Sequence, residues 1–345
     1  MKGKQVFCII LMLLLVVGSV FAAGGRQASG GAFDPAKTPV AIAIGVMNHP
    51  VHRIVQLGFL QAAQKLGYTN AKVIGSEGGD QSEVYVAAEA FAAEGGKGLL
   101  LWAGDSTAFE PLISLSRQGV VVGIPHFKLL TNTGTPPQGL AFNMACDPVL
   151  YGKQSAELMA EKLSGKRGSI AITQNTRNVT ENSGSDSFIA TWKSLASKYN
   201  LDGITLLPVE LEGGVLDQAT AINLAIIQAH PDIIGAFGLT GNSPLSWADA
   251  ATKAGKRDGE IFIIGMDATE GNLNYLESGK VAAIVAQPLY EEAYKTMEYL
   301  DKIFRGEQVP AWTDLVAPIV TKDGTGPNGL AYHRDIAAQV ATFFK

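Results

Sequence analysis

The sequence predicts an α/β fold of two lobes, each built on a doubly wound, mainly parallel sheet. Three observations carry this. From residue 39 onward, short β-branched apolar runs alternate with segments of helical apolar spacing, the signature of βαβ units. About ten such runs occur, too many for one ordinary doubly wound sheet and suited to two sheets of about four to six strands. A chain of 345 residues, 47% of them hydrophobic, is long and apolar enough for two cores. A closed barrel of βα units is the competing arrangement. Against it stands the turn-rich stretch 130–139, with Thr133-Gly-Thr-Pro-Pro137, which interrupts the alternation and reads as an inter-lobe boundary or a surface excursion.

Residues 1–22 read as a cleavable secretory signal. Lys2 and Lys4 precede an apolar run over 6–17, and Val20-Phe21-Ala22 offers the small or branched side chains a signal peptidase reads. The run is about 12 residues, short of the roughly 20 that a membrane-crossing helix needs, so a retained anchor is disfavoured. Cys8 lies inside the run, before any cleavage point, and is not placed to accept a lipid. After cleavage only Cys146 remains; it is expected to be a buried structural thiol. Residues 23–37, rich in Gly, Ala and Ser, read as a flexible tether.

Order begins near Pro39. Strands are expected at 40–44, 71–74, 98–102 and 120–124. Residues 51–66 form a helix, because Val51, Ile54, Val55, Phe59, Ala62, Ala63 and Leu66 keep the helical 3,4 spacing. The pattern restarts with a strand at 140–143 and a helix over 148–163. Further strands follow at 169–172, 204–209, 233–237, 261–265 and 281–285, each separated from the next by an amphipathic segment.

Charge and motifs exclude several classes of function. Twenty-seven Lys and Arg against 32 Asp and Glu, a net −5 with no basic block, argue against nucleic-acid binding. After the first strand Gly45-Val-Met-Asn-His-Pro50 stands where a dinucleotide fingerprint would be, and no Walker-type loop occurs. Neither a nucleophile elbow nor a zinc-protease pattern is present. Nothing nominates an enzyme, and no cofactor is implied. His49 and His52, three apart at a helix start, offer either a metal-binding face or two polar residues facing solvent. The Asp323 to Asn328 segment lacks the bidentate Glu of a Ca²⁺ loop and reads as a turn, and Asn178-Val-Thr180 is a glycosylation triplet.

Position within the fold is more informative. Ligands of open α/β sheets bind beyond the carboxyl ends of the strands. Polar or aromatic residues recur there in both halves: Asn48, Trp102, Asp105, His126, Phe127, Asp267 and Gln287. Their recurrence points to a ligand cleft between the lobes.

Several segments then occur in a telling order. They are Met47-Asn-His-Pro50, Gly58-Phe-x-x-Ala-Ala63, Leu66-Gly-Tyr68, Asp147-Pro-x-x-Tyr-Gly152, Ala229-His-Pro-Asp232, Ile234-Gly-Ala-Phe237, Gly265-Met-Asp267 and Val281-Ala-Ala-Ile-Val-Ala-Gln287. With these segments the chain resembles, over about 38–322, the type I periplasmic sugar-binding proteins of ABC transporters related to the ribose-binding protein. The resemblance implies two similar lobes, joined by three crossing strands, that close on a ligand by hinge motion. The first lobe would hold 38–145 and 288–316. The second would hold 146–287 and 317–345, with 332–345 as an added helix packed on it. A monomeric, exported or periplasmic binder that delivers its sugar to a membrane permease is the implied role. The alternative is a receptor feeding a chemoreceptor or sensor kinase, for a signal molecule such as a furanosyl autoinducer. A transcriptional regulator is disfavoured, because the start is signal-like and no helix-turn-helix precedes Pro39.

Carried over position by position, the resemblance makes Asn48 and His49 polar contacts and puts His52 where a stacking aromatic is frequent. Trp102 falls where a polar side chain is common. His126-Phe127 replaces an Asp-Arg pair, and a second family Arg is replaced within Asn182-Ser-Gly-Ser-Asp-Ser-Phe188, leaving Asn182 the nearest polar candidate. Asn242 lies in a contact region, and Asp267 and Gln287 match contact positions directly. Without the two arginines the cleft favours a small neutral sugar or polyol over an anion. Asn48, Asn182, Asp267 and Gln287 would exchange hydrogen bonds with hydroxyls while Trp102 and Phe127 cover the apolar face of a ring. Convergence of His49, His52 and His126 would offer a metal site or pH sensitivity.

Overall fold

Val40-Ala-Ile-Ala-Ile44 has no polar face to give to water, so it must lie between two helical layers. As β1 (Val40–Ile44) it is buried along its whole length. The computed structural model describes residues 33–102, 110–126, 137–175, 179–324 and 328–345. The expected signal, most of the tether, Asp105, Phe127 and much of the 130–139 stretch lie outside the described residues, as do Asn178 and part of the Asp323 to Asn328 turn.

After β1 come α1 (Pro50–Leu66), β2 (Ala71–Gly75), α2 (Gln81–Ala93), β3 (Gly98–Trp102), α3 (Glu110–Ile113), β4 (Val121–Pro125) and β5 (Leu140–Cys146). The alternation continues through α4 (Pro148–Lys162), β6 (Gly168–Gln174), α5 (Val179–Tyr199), β7 (Ile204–Leu211) and α6 (Leu216–Ala229). Then follow β8 (Ile233–Gly238), α7 (Ser243–Lys253), β9 (Phe262–Met266), α8 (Glu270–Ser278) and β10 (Ala283–Val285). The chain closes with α9 (Leu289–Phe304), β11 (Trp312–Leu315), β12 (Ile319–Thr321) and α10 (Leu330–Phe343).

These strands form two six-stranded sheets, in the orders β11-β5-β4-β3-β1-β2 and β12-β10-β9-β8-β6-β7. All neighbours run parallel except β10 and β12. The two orders are equivalent, so the α/β two-lobe architecture expected from the sequence is present. Each sheet has a topological switch point, between β1 and β3 and between β6 and β8, where loops diverge and leave a crevice. The chain passes between the sheets three times: from β5 to β6, from β10 to β11, and from β11 to β12.

Both cores follow strand periodicity. Ile170 and Ile172 pack with Tyr151, Phe188 and Trp192, while Ala171 between them packs with Trp247, Leu273 and Leu276 on the other face. In the first lobe Ala41, Ala43, Leu99 and Leu101 pack against Val84 and Phe91 of α2. On its other face α1 lies against α9 so closely that a Cβ at Gly58 would collide with the Tyr290 carbonyl oxygen. Local chemistry sets the helix starts: His49 caps α1 ahead of Pro50, and Asp147 caps α4 ahead of Pro148. Two of the segments behind the family resemblance are therefore helix-start signals.

The structure departs from expectation at the chain's end. The short edge strands β11 and β12 carry no long apolar run and were absent from the sequence reading. The terminal helix, expected on the second lobe, touches both. Leu330 and Ala337 join the second-lobe core, while Gln339 accepts a hydrogen bond from Gln61 of α1 (3.1 Å). Periodicity reveals that such a helix has a buried face but not which neighbours cover it. Among the described residues no helix is long and apolar enough to cross a membrane.

Candidate functional site

Loops at the carboxyl ends of strands in both sheets surround one cavity of about 390 Å³. His49, His52, Trp102 and His126 line it from the first lobe, and Asn175, Asn242, Asp267 and Gln287 from the second. Among the described residues, no Lys or Arg lines it.

The first-lobe wall is a run of rings. His49 and His52 centroids lie 5.1 Å apart, His52 meets Trp102 edge-on at 4.3 Å, and Trp102 lies 4.8 Å from His126. The Val46 N–H donates to His52 Nδ1 (3.0 Å), so a neutral His52 carries its proton on Nε2. Burial, then the charges of His49 and His126, hold the His52 pKa down at about 3. His49 is lowered by burial, with a hydrogen bond to Asn242 of the other lobe opposing the shift. His126 Nδ1 lies 2.9 Å from Glu292 Oε2, on α9, and Glu292 is wholly buried.

Asp267 is the second-lobe counterpart. It is 4% exposed, and its Oδ1 has no hydrogen-bond partner. Its backbone is pinned: the N–H donates to the Val285 carbonyl (2.9 Å), and its carbonyl accepts from Asn272 Nδ2 (2.8 Å). Burial pushes the carboxyl pKa up to about 7, with His126 lowering it and Glu292 raising it further. Asp267 (φ 68°) and His126 (φ 80°) are two of the three non-glycine residues with positive φ among the described residues. Strained backbone of this kind is tolerated where a side chain must be aimed. Beside them, Gln287 Nε2 donates to Cys146 Sγ (3.6 Å). Burial pushes that thiol's pKa well up, which makes Cys146 the inert structural thiol expected.

The turn between β8 and α7 closes the cavity, and a residue missed by sequence reasoning holds it. Glu212, fully buried after β7, accepts from Thr173 Oγ1 (3.1 Å), Asn223 Nδ2 (3.0 Å), Thr240 Oγ1 (2.7 Å), Ser246 Oγ (3.5 Å) and Ser243 Oγ. Its charge is spread over neutral donors from three elements and the turn itself. The turn presents Gly241 to the first lobe, where a Cβ would stand 2.7 Å from Val51 Cγ2; it would also stand 2.9 Å from Oδ2 of Asp267 in its own lobe. Glu212 precedes Gly213-Gly214 and has the sequence context of a surface turn, so nothing local marks it.

Of the residues named from sequence, His49, His52, Trp102, His126, Asn242, Asp267 and Gln287 come together at the cavity. Trp102 is only 4% exposed, hemmed in by the two imidazoles. Asn48 sits exposed at the rim, outside the lining, where it donates to Glu77 and accepts from Arg53 Nη2 (2.6 Å). Asn182 does not line the cavity either; it accepts from Gln174 Nε2 (2.7 Å), and Asn175 takes the lining position. Thr240, in the same expected contact region as Asn242, lines it too, and Tyr151 also lines it and was missed, although it belongs to the Asp147-Pro-x-x-Tyr segment. Among the described residues no group of His, Cys, Asp or Glu is arranged to hold a metal ion.

The profile of the family described as periplasmic binding protein domain matches residues 40–308. The chain is 25% identical over 294 residues to the ribose import binding protein RbsB of Escherichia coli (strain K12), covering 83% of this chain and 92% of that one. An ABC transporter solute-binding protein from Actinobacillus succinogenes 130z, solved with bound D-allose, superposes with a TM-score of 0.74 at 19% identity, over 83% of this chain and 98% of its own. One from Agrobacterium vitis, solved with α-D-tagatopyranose, gives 0.74 at 20% identity, over 86% and 99%.

Proposed function

The chain belongs to the periplasmic binding protein family, and from that membership we propose that it captures a small neutral sugar or polyol between its lobes and delivers it to the membrane permease of an ABC transporter. The observation that carries this reading is the cavity: buried oxygen acceptors and amides, a ring wall and, among the described residues, no Lys or Arg to attract an anion. Asp267 accepts from ligand hydroxyls, Gln287 and Asn175 add amide donors and acceptors, and the His52–Trp102–His126 wall covers the ring's apolar edge. Closing the hinge exchanges water for these contacts, and the permease reads the closed form. No bond is made or broken. Similarity to a ribose import protein and to allose- and tagatose-bound binders supports the sugar class.

In this reading residues 1–22 are the signal, 23–37 the tether, 38–145 with 288–316 the first lobe, and 146–287 with 317–345 the second. The protein acts as a monomer outside the cytoplasm and needs no cofactor. A thermal-shift panel of pentoses, hexoses, polyols and disaccharides tests it: at least one neutral member should raise the melting temperature. Calorimetry with that sugar should then show binding lost in a folded Asp267→Ala, Gln287→Ala double variant. A panel with no responder overturns the sugar assignment, and unchanged affinity in the variant overturns the site.

A further inference from the structure

The terminal helix α10 lies beyond the family match, which ends at residue 308. Its two attachments differ in kind. Towards the second lobe, the Arg334 guanidinium donates to both Glu277 oxygens (2.8 and 2.6 Å) and to Asn274 Oδ1 (2.7 Å) on α8. Ala337 is buried in the second-lobe core, with Leu330 packed against it. The apolar burial, with the forked ion pair at the surface orienting it, makes the helix move with that lobe. Towards the first lobe the hold is polar: Gln61 donates to Gln339 (3.1 Å), and the Arg53 guanidinium lies 4.4 Å from the Phe344 ring centroid. Asp335 accepts from Gln339 Nε2 (2.8 Å), and the Tyr290 hydroxyl donates to Gln61 Oε1 (2.7 Å), so both partners are pre-oriented. One neutral hydrogen bond and one partly exposed cation–π contact are weak enough to break and re-form at ambient temperature.

We propose that α10 is a strap that travels with the second lobe and clasps α1 of the first, biasing the hinge toward closure before a ligand arrives. The clasped helix is the one that matters for the cavity. The first turn of α1 carries His49 and His52, and Arg53, which meets Phe344, also donates to Asn48 at the rim (2.6 Å). Releasing the clasp shifts the closed-to-open ratio about tenfold toward the open form, and the apparent affinity for ligand falls with the closed fraction.

The inference rests on the hinged two-lobe reading. Its test contains no sugar, so its failure leaves the ligand assignment untouched. Spin labels at the exposed positions Lys72 and Asp258, near the outer ends of the two lobes, report the inter-lobe distance of the ligand-free full chain. In Gln339→Ala, Phe344→Ala the long-distance population should rise about tenfold over that of the unsubstituted chain. Hydrogen exchange on the same variant should find the α10 amides as protected as before, because the strap stays docked on α8. An unchanged distance distribution overturns the proposal, and so does opening accompanied by loss of α10 protection.

Discussion

Burial of the Asp267 carboxyl, opposed by His126 and aided less by Glu292, lifts its pKa from 3.8 to about 7. The protonated form is thus favoured in the folded chain. Its contribution to stability is fully present below the unfolded value of 3.8 and is lost as pH rises through about 7. Asp267→Asn should therefore stabilise the empty protein at pH 8 by on the order of 2 kcal/mol, and by nothing near pH 3, in paired thermal melts. Ligand hydroxyls donate to the ionised carboxylate, so binding releases a proton. Sugar affinity should rise about tenfold per unit up to pH 7 and then level off, in calorimetry across buffers of different ionisation enthalpy. His52, held at about 3, stays neutral throughout and does not contribute to that slope. The sequence placed Asp267 at a strand end. That its Oδ1 lacks a partner while its N–H is pinned to Val285 of β10, and that the His126 N–H bonds the Met144 carbonyl of β5, depends on neighbouring elements.

At the scale of elements, the β8–α7 turn shows how a loop is made rigid enough to bind. Five neutral donors converge on Glu212. Glu212→Gln turns one acceptor oxygen into a donor that faces hydroxyls and an amide. We expect about 3 kcal/mol of lost stability in denaturant unfolding, and faster hydrogen exchange at residues 239–243 than elsewhere in the second lobe. Elements whose cause is local were readable in advance. The apolar runs that became β1, β3 and β8, and the Pro-led starts of α1 and α4, carry their own instructions. The short strands β11 and β12 do not. Trp312-Thr-Asp-Leu315 is a strand because Asn143 to Cys146 of β5 offers it an open edge, and nothing within four residues requires that pairing.

At the scale of the whole molecule, closure depends on how tightly the lobes meet. Gly241 is where they touch: Val51 of the first lobe is too near to admit a Cβ, as is the Asp267 carboxylate of its own lobe. Gly241→Ala should lower the melting temperature only slightly, as the Asp267 carboxylate of the same lobe gives way, yet weaken sugar binding by about tenfold or more, since the lobes can no longer reach the closed separation. Calorimetry beside a thermal melt separates the two effects; equal losses in both would refute a closure role. What the amino-acid order determined by itself was local and periodic: βαβ alternation, the duplicated lobes, helix caps, polar residues at strand ends and the shortage of basic groups among them. What only the tertiary structure decided was partnership. His126 meets Glu292 across 166 residues, Gln287 meets Cys146 across 141, and α10 reaches Gln61 across 278. Local sequence sets which face a residue takes within its own element, whereas burial, pKa and hinge contacts arise from whatever distant element is packed against that face.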